Sequence, residues 1–262
     1  MLILFVGDVV AKGGRRAVFA ALEELHEAHD IDLVVVNAEN AAGGFGITQS
    51  VIDEFFSHQV DVLTTGNHVW DKREALEFID NEPRVVRPHN YPPGTPGKGV
   101  FLATAKTGDR VAVVNVMGRV FMHPDLDCPF RAVDDVLKTL PNDVKTILVD
   151  FHAEASSEKV ALGWYLDGRV SAVVGTHTHI PTADERILKE GTAFISDVGM
   201  TGSYDSIIGM KIQGSLSRFV TKLPQRMEPA TGPATFCGVL IDVDEQSGRA
   251  RSIVRVRAGQ PL

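Results

Sequence analysis

The 262-residue sequence contains only two cysteines and has no long apolar run. Cys128 and Cys237 lie far apart along the chain, which excludes a disulfide framework and a cysteine-rich metal cluster and suits a reducing cytosol. No apolar run reaches the roughly 18 residues that a membrane span needs. The first residues, MLILFVGDVV, lack a basic segment and a small-residue cleavage site, which argues against a signal peptide. We therefore expect a cytoplasmic protein without membrane contact, whose first segment is a core strand.

An excess of positive charge is also absent. The formal net charge is -8 and the sequence pI is near 5.6. Binding to duplex nucleic acid depends on basic side chains that neutralise phosphates, so this charge argues against such a partner. A small phosphorylated ligand is compatible with it, because a bound metal can invert the local field. The composition is that of a globular protein, with no repeat or linker, and it predicts one domain over residues 1–262.

The apolar pattern alternates between strand-like runs and helical spacing. An α/β layered domain is expected from this alternation, with antiparallel character added late in the chain. Strand runs are predicted at 2–8, 32–40, 60–68, 111–118, 144–152 and 170–179, helices at 14–29, 48–58 and 71–80, and a hairpin over 235–257 turned at EQSG. Thr48 is the expected N-cap of the second helix. The apolar segment 121–130 is a candidate for a homo-oligomer interface or a cleft wall.

Polar side chains follow five of the apolar runs, at the point where each run ends. In open α/β sheets, ligands bind outside the carboxyl ends of the strands, so we expect these side chains to gather along one sheet edge. They are Asp8, Glu39, Asn40, Asn67, His68, His152, His177 and His179. Each also has a structural interpretation: Asp8 as a turn cap, Glu39 and Asn40 as the start of a polar loop, Asn67 as a left-handed turn residue, and His68 as a helix cap. His152, His177 and His179 could be surface groups at strand ends.

Carboxylates, carboxamides and imidazoles together fit a pair of divalent metal ions such as manganese, iron or zinc. A carboxylate can bridge two ions, and coordination lowers the pKa of bound water towards neutrality, which creates a nucleophile at working pH. The absence of thiolates argues against a closed structural zinc site. The segments GGRR (13–16) and GGFG (43–46) match neither phosphate-loop motif and are interpreted as loop glycines near the site.

These residues resemble the calcineurin-like metallophosphoesterases, and more closely their YmdB-like bacterial phosphodiesterase branch. The resemblance covers nearly the whole chain, through VVNAENAAGGFGIT, LTTGNHVWDKRE, VDFHAEASSEK and VVGTHTHIPTADERIL. The superfamily usually has Asp-x-His and Gly-Asp where this chain has Val10 and Glu39-Asn40. The YmdB-like branch shows the same exchange, so the departure supports the narrower match.

The resemblance implies an α/β/β/α sandwich with the metal site at the carboxyl ends of the strands. It assigns the first metal to Asp8, Glu39, Asn40 and His179, and the second to Glu39, Asn67, His152 and His177. His68 would be the general acid rather than a ligand, with a metal-bridging hydroxide attacking phosphorus. Iron or manganese would be the metals, with zinc or magnesium as alternatives.

The expected activity, also implied by the resemblance, is hydrolysis of 2',3'-cyclic nucleotides at the 2' position to 3'-nucleotides. Two alternatives stay open because related sites act on different phosphoesters. One is a phosphomonoesterase or RNase that uses the same site. The other is a metal-bound regulatory protein whose hydrolysis is incidental.

Overall fold

Alternate residues of the central strands point into different apolar layers. In the first strand, Ile3 and Phe5 belong to one buried cluster, whereas Leu4 and Val6 belong to another. This period of two is that of a strand buried on both faces, which explains the unbroken apolar run at the N-terminus. The interpretation of that run as a core strand is confirmed, since it forms β1.

The computed structural model describes residues 1–260. Its helices are α1 Ala11–Ala28, α2 Gln49–Ser57, α3 Ala75–Phe78, α4 Pro129–Thr139, α5 Ser156–Leu166 and α6 Ile212–Thr221. Its strands are β1 Leu2–Val6, β2 Leu33–Asn37, β3 Val62–Thr64, β4 Val85–Val86, β5 Val100–Thr104, β6 Arg110–Met117, β7 Thr146–His152, β8 Ala172–Thr176, β9 Arg186–Ile187, β10 Ala193–Ile195, β11 Thr235–Val243 and β12 Ala250–Gly259.

The strands form two mixed six-stranded sheets. The first has the order β12-β11-β1-β2-β3-β4 and the second β5-β6-β7-β8-β10-β9. Strands β1 to β4 pair in parallel, as do β6, β7, β8 and β10. The remaining pairs are antiparallel, including the β11–β12 hairpin predicted over 235–257.

Three apolar clusters show how the layers stack. The middle cluster joins the facing sides of the two sheets, for example Phe5 and Val35 from one sheet with Val113 and Val174 from the other. Helices α1 and α2 cover the outer face of the first sheet, and α4 and α5 cover that of the second. The α/β/β/α sandwich expected from the sequence is therefore confirmed. Within residues 1–260, no helix combines the length and apolarity needed to cross a membrane.

Two local predictions need correction. The helix expected over 71–80 is only the four-residue α3, because the preceding segment follows tight turns such as the hydrogen bond from Asp71 N to His68 O. Thr48 does occupy the N-cap position of α2, but its hydroxyl lies 3.2 Å from Ser50 Oγ and makes no capping bond. The same tight turns hold His68 at the end of β3, beside the site described next.

Candidate metal centre

The predicted ligands come together between the carboxyl ends of the strands, but two sheets supply them. The expectation of a single sheet edge was wrong, because β1 to β3 belong to one sheet and β7 and β8 to the other. Since the sheets pack face to face, their carboxyl edges lie side by side. The residues that are at least nine-tenths buried are Asp8, Glu39, Asn40, His152 and His179. The half-buried ones are Asn67 and His177.

His152 is at the centre of a tight group of potential ligand atoms. Its Nε2 lies 2.9 Å from Asn67 Oδ1, 3.2 Å from Glu39 Oε1 and 3.1 Å from His177 Nδ1. Two atoms bound at right angles to one ion, each about 2.1 Å from it, lie about 3.0 Å apart. These three distances from His152 are those of ligands that share an ion, and the ligand atoms of Glu39, His152 and His177 all lie within 4.8 Å of one another.

A second group surrounds Asp8. Its Oδ1 lies 3.9 Å from His179 Nε2 and 3.9 Å from His152 Nδ1, and it has no hydrogen-bond partner although the side chain is fully buried. The amide nitrogen of Asn40 lies 3.2 Å from His179 Nε2 and 3.1 Å from Glu39 Oε1. The two ends of a carboxamide have nearly the same shape, so a half-turn of this group presents its oxygen to an ion instead.

The second nitrogen of each imidazole donates a proton to a fixed acceptor. His179 Nδ1 donates to the carbonyl oxygen of Ile208 at 2.9 Å, and His177 Nε2 lies 3.1 Å from Glu154 Oε2. The Thr176 hydroxyl donates to the Asp150 carboxylate at 2.7 Å and so accepts from His152 Nδ1 at 2.9 Å. Metal-ligating histidines show this arrangement, because it fixes the tautomer whose free lone pair faces the ion.

These residues fit a pair of divalent cations. His152 Nε2 and His177 Nδ1 face each other at 3.1 Å among acidic and amide oxygens, and one oxygen of buried Asp8 has no partner. Such an arrangement is costly unless a positive charge satisfies it. At Gly66, an added Cβ would lie 2.3 Å from His152 Nε2 and 2.4 Å from Glu39 Oε2, so glycine keeps the space between these ligands open.

In the polypeptide alone, a proton supplies part of that positive charge. Burial lowers the pKa of His152, but the attraction and hydrogen bond of Glu39, together with the charges of Asp8 and Asp150, more than offset this effect and raise that pKa to about 9. Burial raises the pKa of Glu39, yet His152 and His68 together outweigh this effect and hold the pKa below its usual range. Burial, followed by repulsion from His152, lowers the pKa of His177 to about 3. An ion held by His152 Nε2 would take the place of this proton, so metal uptake would release protons.

The loop that carries His177 and His179 is held in an uncommon conformation. Both residues have positive φ, 99° and 67°, a region that non-glycine residues seldom adopt. Between them, Thr178 donates from its backbone nitrogen and its hydroxyl to Asp197 Oδ2, at 3.1 and 2.7 Å. The buried Lys159 ammonium donates to the same oxygen at 2.7 Å. This buried ion pair fixes the loop against its backbone strain.

His68 stands beside the group rather than within it. Its backbone nitrogen donates to Glu39 Oε2 at 3.0 Å, and its Nδ1 lies 2.8 Å from Asp71 Oδ2. Since Asp71 accepts from Nδ1, the other ring nitrogen is free for a proton transfer. The ring is half-buried and lies on the wall of a cavity of about 720 Å³ that adjoins the metal-ligand group.

Several contributing residues are outside the sequence predictions. Phe45, within the segment interpreted as loop glycines, packs against the edge of His68 with ring centroids 5.0 Å apart. Asp150, Glu154 and Asp197 hold the imidazoles or their loop. Of these three, Asp150 could have been found from the sequence, because a carboxylate inside the apolar run of a buried strand needs a polar partner. The left-handed interpretation of Asn67 does not apply, because Asn67 is not among the positive-φ residues of the described chain.

Comparison with known proteins identifies relatives along the whole chain. A family described as "YmdB-like protein" matches residues 4–256. A Bacillus subtilis (strain 168) protein named "2',3'-cyclic-nucleotide 2'-phosphodiesterase" is 48% identical over 256 residues, covering 98% of this chain and 96% of that protein.

Two solved structures share the architecture. A protein from Thermus thermophilus is 45% identical, with a TM-score of 0.93 and full coverage of both chains. A Mycoplasma pneumoniae protein described as a novel phosphatase is 31% identical, with a TM-score of 0.93, covering 99% of this chain and 93% of that one. The resemblance stated from the sequence motifs is thus confirmed, and the chain belongs to the YmdB-like family of enzymes with the metallophosphoesterase fold.

Proposed function

We propose that this protein is a two-metal phosphodiesterase that opens 2',3'-cyclic nucleotides at the 2' position and yields 3'-nucleotides. The observation that carries the proposal is the pair of ligand groups around His152 and Asp8, whose three imidazoles each have one nitrogen fixed as a donor. The coarser activity, hydrolysis of phosphoesters, is supported by the family. The choice of substrate is supported by the name of the Bacillus subtilis relative.

In this proposal, Glu39 is shared between the two ions. Asp8, Asn40 and His179 complete the first set, and Asn67, His152 and His177 complete the second. When bound, two divalent ions supply a hydroxide nucleophile at neutral pH and neutralise charge on the phosphate. Iron or manganese are the proposed metals, with zinc and magnesium as alternatives that a metal analysis of the purified protein distinguishes.

His68 acts on the leaving group. With both ring nitrogens protonated, His68 gives the Nε2 proton to O2' as the bond from O2' to phosphorus breaks, so O2' is released as a hydroxyl group rather than an alkoxide while O3' stays bonded to phosphorus. Asp71, 2.8 Å from Nδ1, keeps the other nitrogen protonated and sets the orientation of the ring. Water then restores the proton to His68, and the 3'-phosphate ester remains intact.

The test is turnover of 2',3'-cyclic AMP by manganese-loaded protein, with the product isomer identified by NMR. We expect 3'-AMP. Formation of 2'-AMP would contradict the assigned bond, and absence of turnover in protein that holds two metal ions would contradict the substrate.

A phosphomonoesterase is the second candidate, favoured by the description of the Mycoplasma pneumoniae structure as a phosphatase. It predicts that 3'-AMP is hydrolysed further to adenosine and phosphate. Release of phosphate from 3'-AMP at a rate similar to that of ring opening would favour this candidate over the diesterase.

A further inference from the structure

The cavity beside the metal-ligand group has two chemically different sides. Polar residues of the group, with His68, form one side. The other side consists of α6 and the segments before and after it. The residues that this wall contributes include Ile208, Met210, Arg218, Phe219, Lys222 and Met227. We call this set the α6 wall.

The α6 wall is attached directly to the ligand group. The carbonyl oxygen of Ile208 accepts the hydrogen bond from His179 Nδ1 at 2.9 Å. Backbone hydrogen bonds from Ala230 N to Gly209 O and from Lys211 N to Glu228 O, both 2.8 Å, join the two chain segments that flank the helix. A ligand held by the wall is therefore held in a defined position relative to the metal centre.

Phe219 is the aromatic residue of this wall, and 65% of it is exposed. Exposure of a phenyl ring on a concave surface beside a charged centre leaves apolar area that a flat apolar ligand can cover. Phe45 contributes a second ring to the same cavity. The volume of about 720 Å³ lies within the roughly 300–1,000 Å³ of sites that bind whole organic ligands, and it exceeds what a phosphate group alone fills.

We propose that the α6 wall is a nucleobase subsite, in which Phe219 stacks on the base of a nucleotide whose phosphate lies at the metal centre. Every base has a π-face, so a phenyl ring binds purines and pyrimidines alike. Arg218 and Lys222 flank Phe219 on the same wall and add positive charge beside an anionic ligand. This inference rests on the proposed function, because it assumes a nucleotide substrate.

The test compares Phe219→Ala with the native protein on two substrates, 2',3'-cyclic AMP and the 2',3'-cyclic phosphate of methyl riboside, which lacks a base. Loss of one base–aromatic stack should raise KM for the nucleotide about 10-fold with little change in kcat, and Phe219→Trp should restore it. KM for the base-free substrate should not change. Val220→Ala is the matched control, since Val220 is the next residue, 81% exposed, and outside the cavity lining.

Equilibrium binding provides a readout besides activity. By calorimetry, Phe219→Ala should weaken binding of 3'-AMP about 10-fold and leave binding of ribose 3-phosphate unchanged. An unchanged KM and affinity for the nucleotides in Phe219→Ala would overturn the subsite. The subsite would also be overturned if light scattering showed that Phe219→Ala only reduces the oligomer size, because the α6 wall would then be a contact between subunits. Failure of the proposed function looks different: native protein that holds two metal ions would not open 2',3'-cyclic AMP at all.

Discussion

The Thr176 hydroxyl joins the buried Asp150 carboxylate to the His152 ring, at 2.7 and 2.9 Å. Burial raises the pKa of Asp150 to about 6, even though His152 and the donors Thr64, Thr176 and Asn37 lower it. Asp150 thus sets the hydroxyl direction, and the hydroxyl sets the His152 tautomer. Asp150 therefore acts on the candidate metal centre indirectly, through Thr176 and His152.

Replacing Thr176 by valine should weaken metal binding while keeping the shape of the side chain. Without the hydroxyl, His152 Nδ1 loses its acceptor, and such supporting contacts are worth about 10- to 100-fold in metal affinity. Manganese titration by calorimetry measures the change. Thr176→Ser, which keeps the hydroxyl, should bind like the native protein; equal weakening in both variants would point to packing instead of the hydrogen bond.

Replacing His68 by alanine should leave both metal ions bound and remove most of the turnover. A general acid contributes about 10²- to 10⁴-fold, and the loss should be larger for a ribose leaving group than for p-nitrophenolate, which needs no proton. Metal content and kcat on the two kinds of diester test this together. The control is His29→Ala, an exposed histidine at the far end of α1. Loss of an ion from the His68 variant would make His68 a ligand and refute its role.

Replacing Gly66 by alanine should remove the second metal ion. The added Cβ would lie 2.3 Å from His152 Nε2, where no real Cβ fits without displacing the ring. We expect at most one ion per chain by elemental analysis. Gly13→Ala is the matched control, because its Cβ would meet only Ala234, at 4.0 Å. Full metal content in Gly66→Ala would mean that His152 is not a ligand in this position.

Removing the metals should destabilise the native protein more than the Asp8→Asn variant. Metals at about 100 times their Kd stabilise the folded state by about 2.7 kcal/mol. Asp8→Asn removes one ligand charge, so chelation by EDTA should lower its Tm less. In EDTA the variant should be at least as stable as the native chain, since it replaces a buried carboxylate whose Oδ1 has no partner. A native Tm that chelation leaves unchanged would argue against bound ions.

Replacing Lys159 by methionine should destabilise the fold and loosen the histidine loop. The change leaves Asp197 as a buried charge without its cation, and breaking a buried pair typically costs about 3–5 kcal/mol of unfolding free energy. Urea denaturation measures the loss. Lys189→Met, an exposed lysine, is the control and should change stability by about 0.5 kcal/mol or less. Similar losses in the two variants would mean that the ion pair contributes little.

The sequence predicted secondary structure correctly where a local pattern of apolar residues is compatible with one element only. The apolar runs at β1, β2, β7 and β8 are buried on both faces, so their period and their ends could be read directly. The predicted helix over 71–80 was different: only residues 75–78 are helical, because the contacts of His68 with Glu39 and Asp71 accompany tight turns in the chain before α3.

The donor chemistry followed from the amino-acid pattern alone, since carboxylates, amides and imidazoles at strand ends specify what kind of ion these residues can hold. The family, and through it the layered fold, followed from the same pattern. The folded chain was needed to establish that two sheets rather than one carry the predicted ligands, and that Asp150, Glu154 and Ile208 fix the three imidazoles. These relationships join residues far apart in sequence, such as Ile208 and His179, and a one-dimensional pattern does not encode distances across a packed core.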